Sequence, residues 1–458
     1  MSEPKTDSNK LHIAVLVFPF ATHAPPLLCL VRKLSAAAPA AQFSFISTAE
    51  SNAKLFHKDP PSDATNKAIR PCNVSDGLPS NYQFSGNPQE PVHYFLKAAP
   101  DNFKLAMEVA VKETGRKISC LVSDAFFWFA ADLAENLQVP WVPLWTSGPR
   151  ALLLHVETDE IRRRIGSDGS GDKTIDFIPG FSAIHVSDFP EGIFCADQNA
   201  VFPMMLHKMG LNLPRAAAVA SNSFAELDVE VVNMLKARLK NFLDVGPFIL
   251  TSPESKVPDP HGCMEWLDKR KQENSVVYIS FGSVITPPPQ ELAALAEGLE
   301  EGGFSFLWSF RGNPEEKLPK GFLDRTKESG KIVPWAPQLD VLKHKALGAF
   351  MTHCGWNSVS DAIVGCAPMI CRPFFGDQQL NSRTVEAVWG IGLRIDGGKI
   401  SKDGMVKALR LVLETEEGKK MRQKVESLQK LAISAAQVNG SSTENLKTLA
   451  SIVTKSLS

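Results

Sequence analysis

Two distant residues, His23 and Asp124, are the chain's clearest candidates for acid–base chemistry. His23 follows the apolar run His12-Ile-Ala-Val-Leu-Val-Phe18 through Phe20-Ala21-Thr22, and Asp124 directly follows Ser119-Cys-Leu-Val-Ser123. Ligands of open parallel sheets bind beyond the carboxyl ends of the strands. If both runs are strands of one sheet, the two side chains emerge on that edge. A carboxylate there could hydrogen-bond one imidazole nitrogen and leave the other as a base of defined tautomer. The same residue types also suit a histidine satisfied in a turn and an aspartate capping the next helix, so spacing alone leaves both readings open.

A second group lies in the later half of the chain. The strand-like Gly348-Ala-Phe-Met-Thr352 runs into His353-Cys-Gly-Trp-Asn-Ser358 and then the helical 359–364. Backbone N–H groups at such a helix start, with Asn357 and Ser358 as capping types, can cradle a phosphate, and His353 can add a donor. Simple helix capping explains the same residues. The neighbourhood adds more: Trp335-Ala-Pro-Gln338 offers an indole face for a base, and Asp377-Gln378 offers acceptors and donors for sugar hydroxyls. Other phosphate signatures fail. No GxxxxGK[ST] occurs, and Gly390-Ile-Gly392-Leu-Arg-Ile395 lacks the third glycine of a dinucleotide fingerprint, which disfavours a dehydrogenase. No metal-spaced His/Glu cluster and no GxSxG elbow are present.

These residues need a scaffold, and the pattern supplies an α/β one. Helical spacing at 27–38, a strand at 42–47, a helix at 103–114, the strand at 119–123, a helix near 129–137 and a short strand at 140–144 make a βαβ series. A second series opens with Ser275-Val-Val-Tyr-Ile-Ser-Phe281, continues through a helix at 289–302 and returns to a strand at 304–308. Between them, residues 246–260 carry four prolines and little periodicity, as a linker does. The expected units are residues 1–248, residues 249–440, and a terminal helix within 441–458 that could pack back on the first unit.

Composition narrows the class of partner. With 458 residues, 49 Lys+Arg against 50 Asp+Glu and 44% hydrophobic content, the chain is neither a disordered polyampholyte nor a basic nucleic-acid binder. The early apolar tract 11–31 is broken by His23, Pro19, Pro25 and Pro26, which suits neither a membrane span nor a signal core. Eight scattered cysteines without a CxxC pair read as reduced thiols, so a cytoplasmic location is expected. Two Asn-x-Ser triplets, at Asn73 and Asn439, are discounted as chance patterns.

The segment from Trp335-Ala-Pro-Gln to Phe-Phe-Gly-Asp-Gln378 resembles the sugar-nucleotide signature of plant UDP-glycosyltransferases. The similarity extends to Phe18-Pro-Phe-Ala-Thr-His23, Asp124-Ala-Phe-Phe-Trp-Phe129, Trp145-Thr-Ser-Gly148 and Phe281-Gly-Ser283, and is greatest to flavonoid 3-O-glucosyltransferases acting on anthocyanidins and flavonols. The resemblance implies the GT-B arrangement of two facing Rossmann-like domains, the first holding the acceptor and the second the UDP-sugar. It implies an inverting glucosyl transfer with His23 as general base, Asp124 orienting it, and no metal or other cofactor. Trp335 would stack on uracil, Ala336 would bind its edge through backbone, and Gln338 would lie by the ribose. Ser283 and Ser309 would face the nucleotide, Thr22 could touch phosphate, and His353, Asn357 and Ser358 would hold the diphosphate. Trp356, Asp377 and Gln378 would bind glucose, with Thr146 reaching the sugar from the first domain. For the acceptor, Gln89 and His155 match as polar contacts and Phe126, Phe202 and Phe375 as aromatic walls; ordinary core packing would also explain the phenylalanines. The expected partners are a flavonoid and a UDP-sugar, with no nucleic acid, no membrane span and a monomeric chain.

Three departures stand out. Asp361 occupies the place where the signature carries the Glu that grips the ribose hydroxyls, one methylene shorter. Ala21 replaces a serine that often contacts the acceptor, and Cys366-Ala-Pro368 replaces Gly-Val-Pro. Alternatives within the family are a galactosyl- or rhamnosyltransferase or a glucosyltransferase for another phenol. Outside it stands a degenerate binding protein, favoured by Asp361 and opposed by the retained His23, Asp124, His353, Asp377 and Gln378.

Overall fold

The structure is a computed structural model that describes residues 11–56, 68–87, 89–166, 169, 174–194, 200–251, 258–282 and 284–455. Its first half builds a parallel sheet from β1 (His12–Leu16), β2 (Gln42–Thr48), β3 (Ile69–Val74), β4 (Cys120–Asp124), β5 (Trp141–Trp145), β6 (Val219–Ser221) and β7 (Phe242–Asp244). The strand order is β3-β2-β1-β4-β5-β6-β7. The second half builds another from β8 (Val276–Ser280), β9 (Ser305–Ser309), β10 (Gly330–Val333), β11 (Leu347–Thr352), β12 (Met369–Cys371) and β13 (Gly392–Arg394), ordered β10-β9-β8-β11-β12-β13. Each order reverses once, between β1 and β4 and between β8 and β11. At such a switch point the helices leave opposite faces and open a crevice for ligand.

The central strands are apolar throughout because both faces are covered. In β1, Ala14 and Leu16 face a core shared with Phe95, Phe103 and Phe127, while Ile13 and Val15 face Leu27, Leu30, Val31 and Leu34 of helix Ala24–Ala37. The second sheet divides likewise, with Val276 and Tyr278 on one side and Val277 and Ile279 on the other.

The helix expected at 103–114 is longer, spanning Gln89–Thr114 with Pro100 inside. An internal proline removes a helical hydrogen bond. Burial of Val92, Phe95, Leu96 and Ala99 against the first sheet carries the helix through it. The linker region contributes the short helix Phe248–Thr251, and residues 252–257 lie outside the described residues.

The halves exchange side chains. Phe224 and Leu227 enter the second half's core, and Leu380 of helix Gln378–Arg383 enters the first half's. The terminal helix Ser441–Val453 places Leu449 and Val453 in the core behind the first sheet, and Asn445 Nδ2 donates to the Asp244 carbonyl at 2.8 Å. Leu449 is fully buried. Leu449→Ala is therefore expected to cost about 2–5 kcal/mol, the range of a large-to-small core change. Urea unfolding measures it, and a loss below about 0.5 kcal/mol, the size of a surface substitution, would show that the helix does not anchor there.

Candidate active site

β1 and β4 are neighbours, with Leu16 opposite Ser123. The residues that follow them therefore meet at the first switch point. His23 caps helix Ala24–Ala37, and its Nδ1 lies 2.8 Å from Asp124 Oδ2. The Asp124 side chain is only 2% exposed and His23 is 16% exposed. Asp124 Oδ1 accepts the Phe126 backbone N–H at 2.9 Å, which fixes the carboxylate from its other side. An ionised carboxylate only accepts, so the pairing places the ring proton on Nδ1 and leaves the Nε2 lone pair for another proton. Phe18 and Phe126 pack against the imidazole at centroid distances of 5.1 and 4.5 Å and keep it from rotating. Thr146, expected on the sugar, also approaches His23 Nδ1, at 3.1 Å. Thr22 is exposed in the turn between β1 and His23.

The second switch point carries the other group. β8 ends at Ser280 opposite Thr352 of β11, so Gly282 and His353 face each other. Gly282 has φ +73°, and a Cβ there would lie 2.5 Å from the His353 ring; only glycine lets the turn close over the imidazole. Burial and then the charge of Arg311 lower the His353 pKa to about 4, so near pH 7 it is a neutral dipole with a buried, unpartnered Nδ1. Helix Trp356–Gly365 begins immediately after, without a side-chain cap, so its first N–H groups, in the turn holding Asn357 and Ser358, are available to an anion. Trp335, 44% exposed, lies just beyond the end of β10. Val333 of β10 pairs with Ser309 of β9, which puts Ser309 beside it, with Ala336 buried behind. Gln338 Nε2 donates to Asp361 Oδ2 at 2.8 Å. Ser283 lies outside the described residues.

Asp377 and Gln378 stand where the two halves meet. Ser147 of the first half donates to Asp377 Oδ2, which also accepts Asn381 Nδ2 at 2.8 Å. Burial raises the Asp377 pKa, while those hydrogen bonds and the nearby His23 pull it down. Gln378 is buried and its Oε1 accepts the Phe374 and Phe375 N–H groups at 2.9 and 3.3 Å, leaving Nε2 as its donor. Trp356 opens helix Trp356–Gly365. Its indole Nε1 already donates to the Asn222 carbonyl at 2.9 Å, and a Cβ on Gly148 would lie 2.7 Å from its ring. The side chain is a wedge between the halves.

The acceptor residues are only partly gathered. Phe126 touches His23 and lies 6.1 Å from Trp145, which lies 5.9 Å from His155. Burial lowers the His155 pKa to about 3, so the ring is neutral, and its Nδ1 has no partner. Phe202 packs half-buried against the first core, and Phe375 is 37% exposed on the second half. Gln89 is exposed at the start of its helix, where its N–H donates to Asn87 Oδ1 at 3.0 Å, and no described contact joins it to Phe126 or His155. The sequence reading passed over Ser147, Asn381 and Arg311. Ser147 sits inside Trp145-Thr-Ser-Gly148, but its partner is supplied by the other half of the chain. Among the described residues no three His, Cys, Asp or Glu side chains gather as a metal site requires.

Asp361 offers a check on this electrostatics, because burial raises its pKa to about 6 against the opposing pull of Gln338. The folded chain then holds that proton more tightly than the unfolded one, so raising the pH from 4 to 7 withdraws stability. Asp361→Asn has nothing to ionise and should gain on the wild type over that window, by up to about 3 kcal/mol. Thermal unfolding at pH 4, 5, 6 and 7 measures the difference; a constant offset would contradict the assigned burial.

Residues 82–431 match the family described as "UDP-glucoronosyl and UDP-glucosyl transferase". A flavonoid 3-O-glucosyltransferase of Medicago truncatula is 55% identical over 98% of each chain. An anthocyanidin 3-O-galactosyltransferase of Rhododendron delavayi is 48% identical, also over 98% of each. The crystal structure of a UDP-glucose:anthocyanidin 3-O-glucosyltransferase in complex with UDP superposes with a TM-score of 0.92 at 39% identity, covering 98% of this chain and 100% of that one. The two parallel sheets are thus the GT-B pair expected from the sequence, and the chain belongs to the UDP-glucuronosyl and UDP-glucosyl transferase family.

Proposed function

We propose that the chain transfers glucose from UDP-glucose to the 3-hydroxyl of a flavonoid, flavonol or anthocyanidin, with inversion to the β-glucoside. The observation that carries this reading is the His23–Asp124 pair, 2.8 Å apart and next to Asp377, at the mouth of the first sheet. His23 Nε2 takes the proton of the acceptor hydroxyl as its oxygen bonds to C1 of the sugar. The bond from C1 to the diphosphate breaks and UDP leaves with the electron pair. Asp124 stabilises the imidazolium that forms. A phenolic or enolic hydroxyl suits this base because its acidity lies nearer imidazole's than an alcohol's does. Phe126, Phe202 and Phe375 offer flat apolar surface for such an acceptor, with His155 and Gln89 at its polar edges.

On the donor side, Trp335 stacks on uracil with Ala336 at its edge and Ser309 alongside. Asp361, oriented by the Gln338 amide, accepts from the ribose hydroxyls. The diphosphate sits on the start of helix Trp356–Gly365 with Asn357, Ser358 and neutral His353 as donors, and Thr22 approaches from the first half. We read this cradle as meeting the leaving group's charge without a metal or other cofactor. Asp377 accepts from sugar hydroxyls and Gln378 Nε2 donates. The chain acts as a cytoplasmic monomer in this reading; no described helix is long and apolar enough to cross a membrane. UDP-galactose is the competing donor, since a galactosyltransferase stands among the relatives at 48% identity.

With quercetin or cyanidin as acceptor, wild-type protein should release UDP fastest from UDP-glucose in competition with UDP-galactose and UDP-rhamnose, and NMR of the product should show a β-linkage at the 3-hydroxyl. His23→Ala should lower turnover by about 10²–10⁴-fold with UDP binding retained. Unchanged turnover in that variant would remove His23 from the mechanism, and faster use of UDP-galactose would replace the donor.

A further inference from the structure

The short helix Gln378–Arg383 begins with the residues assigned to the sugar, yet its other contacts are with the opposite half of the chain. Asp377, before its first turn, accepts from Ser147. Leu380 is fully buried in the first half's core, which also holds Phe189 and Ile193. At the far end, Arg383 Nε donates to Asp188 Oδ2 at 2.8 Å. Arg394, which follows the helix on β13, donates from Nη1 to Asp188 Oδ1 at 2.7 Å and from Nη2 to Gln379 Oε1 at 3.1 Å. Asp188 belongs to the first half, in the turn Val186–Asp188, and its side chain is 2% exposed. Glu386 completes the group: its Oε1 accepts the Arg394 N–H at 2.8 Å and its Oε2 lies 3.6 Å from Arg383. Two carboxylates and two guanidiniums balance, so Asp188 is buried against half-buried partners without net charge in the cluster.

The residues that follow, Thr384–Val388, form a π-helical turn rather than a continued α-helix. Widened turns of this kind recur at functional sites, where they re-aim side chains. Here Arg383, just before the turn, meets Asp188 on one side and Glu386 on the other.

We propose that Asp188 is a positioning residue for sugar transfer: by gripping Arg383 and Arg394 it sets where helix Gln378–Arg383 holds Asp377 and Gln378 relative to His23. This rests on the donor assignment above. The uracil, ribose and diphosphate contacts lie on other elements of the second half, so the clamp acts on the hexose and leaves the nucleotide untouched. A displacement near 1 Å at a reacting centre can cost about 10²-fold in rate.

Calorimetric titration of Asp188→Asn with UDP and with UDP-glucose, together with steady-state kinetics on quercetin, tests this. UDP affinity should stay within about twofold of wild type, the UDP-glucose to UDP affinity ratio should fall by about fivefold or more, and kcat should fall by about tenfold or more. Arg394→Lys keeps the charge but cannot reach Asp188 and Gln379 together, and should move the same quantities in the same direction if the first variant folds poorly. An affinity ratio and a kcat per binding site within about twofold of wild type, with only a lower Tm or a lower binding stoichiometry, would overturn the proposal. Wild-type protein that transfers from no UDP-hexose would instead overturn the glucosyltransferase reading, and the two affinities would still decide the clamp.

Discussion

A carboxylate closed off from water has to be met by donors, and Asp124 is met by two, the His23 ring and the Phe126 N–H. Everything else at the first switch point follows from that requirement. The donors can reach it only because β1 and β4 are adjacent and end together. The imidazole is held there edge-on to Phe18 and against Phe126, and its Nε2 is directed away from Asp124. An imidazole in water chooses between two tautomers; this one has been given a single choice.

The second switch point answers with the opposite electrostatic character. The first turn of helix Trp356–Gly365 is uncapped, and His353 beside it is kept neutral by burial and by Arg311. Nearby, Asp361 and Asp377 are held above the usual carboxylate range by burial. Groups strained in this way are poor contributors to stability and concentrate where ligands bind. An anionic leaving group and a polyhydroxylated sugar would relieve both: the helix start gains its anion, and the carboxylates gain hydroxyl donors. The wedge of Trp356 against Gly148, the Ser147–Asp377 hydrogen bond and the Asp188 clamp keep the two edges facing each other.

The strands and helices that lie in the cores were legible because burial writes them as apolar runs. The stretch Ser275–Phe281 and the helix at 289–302 appear where the pattern put them. Short or edge strands were not: Ile69–Val74 is broken by Arg70, Pro71 and Asn73, and Met369–Cys371 and Gly392–Arg394 are too brief to carry a period. Helix Gln89–Thr114 extends well before the expected 103–114, and the tertiary burial of Phe95 and Leu96 carries it through Pro100, a local breaker. In the site, His23 and Asp124 could be found because one lies in the turn after an apolar strand and the other at a strand's end. Ser147, Asn381 and Asp188 could not, since their partners lie far along the chain and nothing in residue spacing encodes which loops meet. Trp356 makes the same point, since its indole donates to a carbonyl of the other half that residue spacing does not announce.

The central claim is that Asp124 fixes the proton of His23 on Nδ1, so that Nε2 is the base. Nitrogen-15 NMR of protein labelled at histidine, with His23→Ala used to assign the signal, tests it most directly. The account requires a neutral His23 with a protonated Nδ1 and an unprotonated Nε2, and Asp124→Asn should shift the ring toward a mixture of tautomers. A His23 signal with the proton on Nε2 in the wild type, or one indifferent to Asp124→Asn, would contradict it.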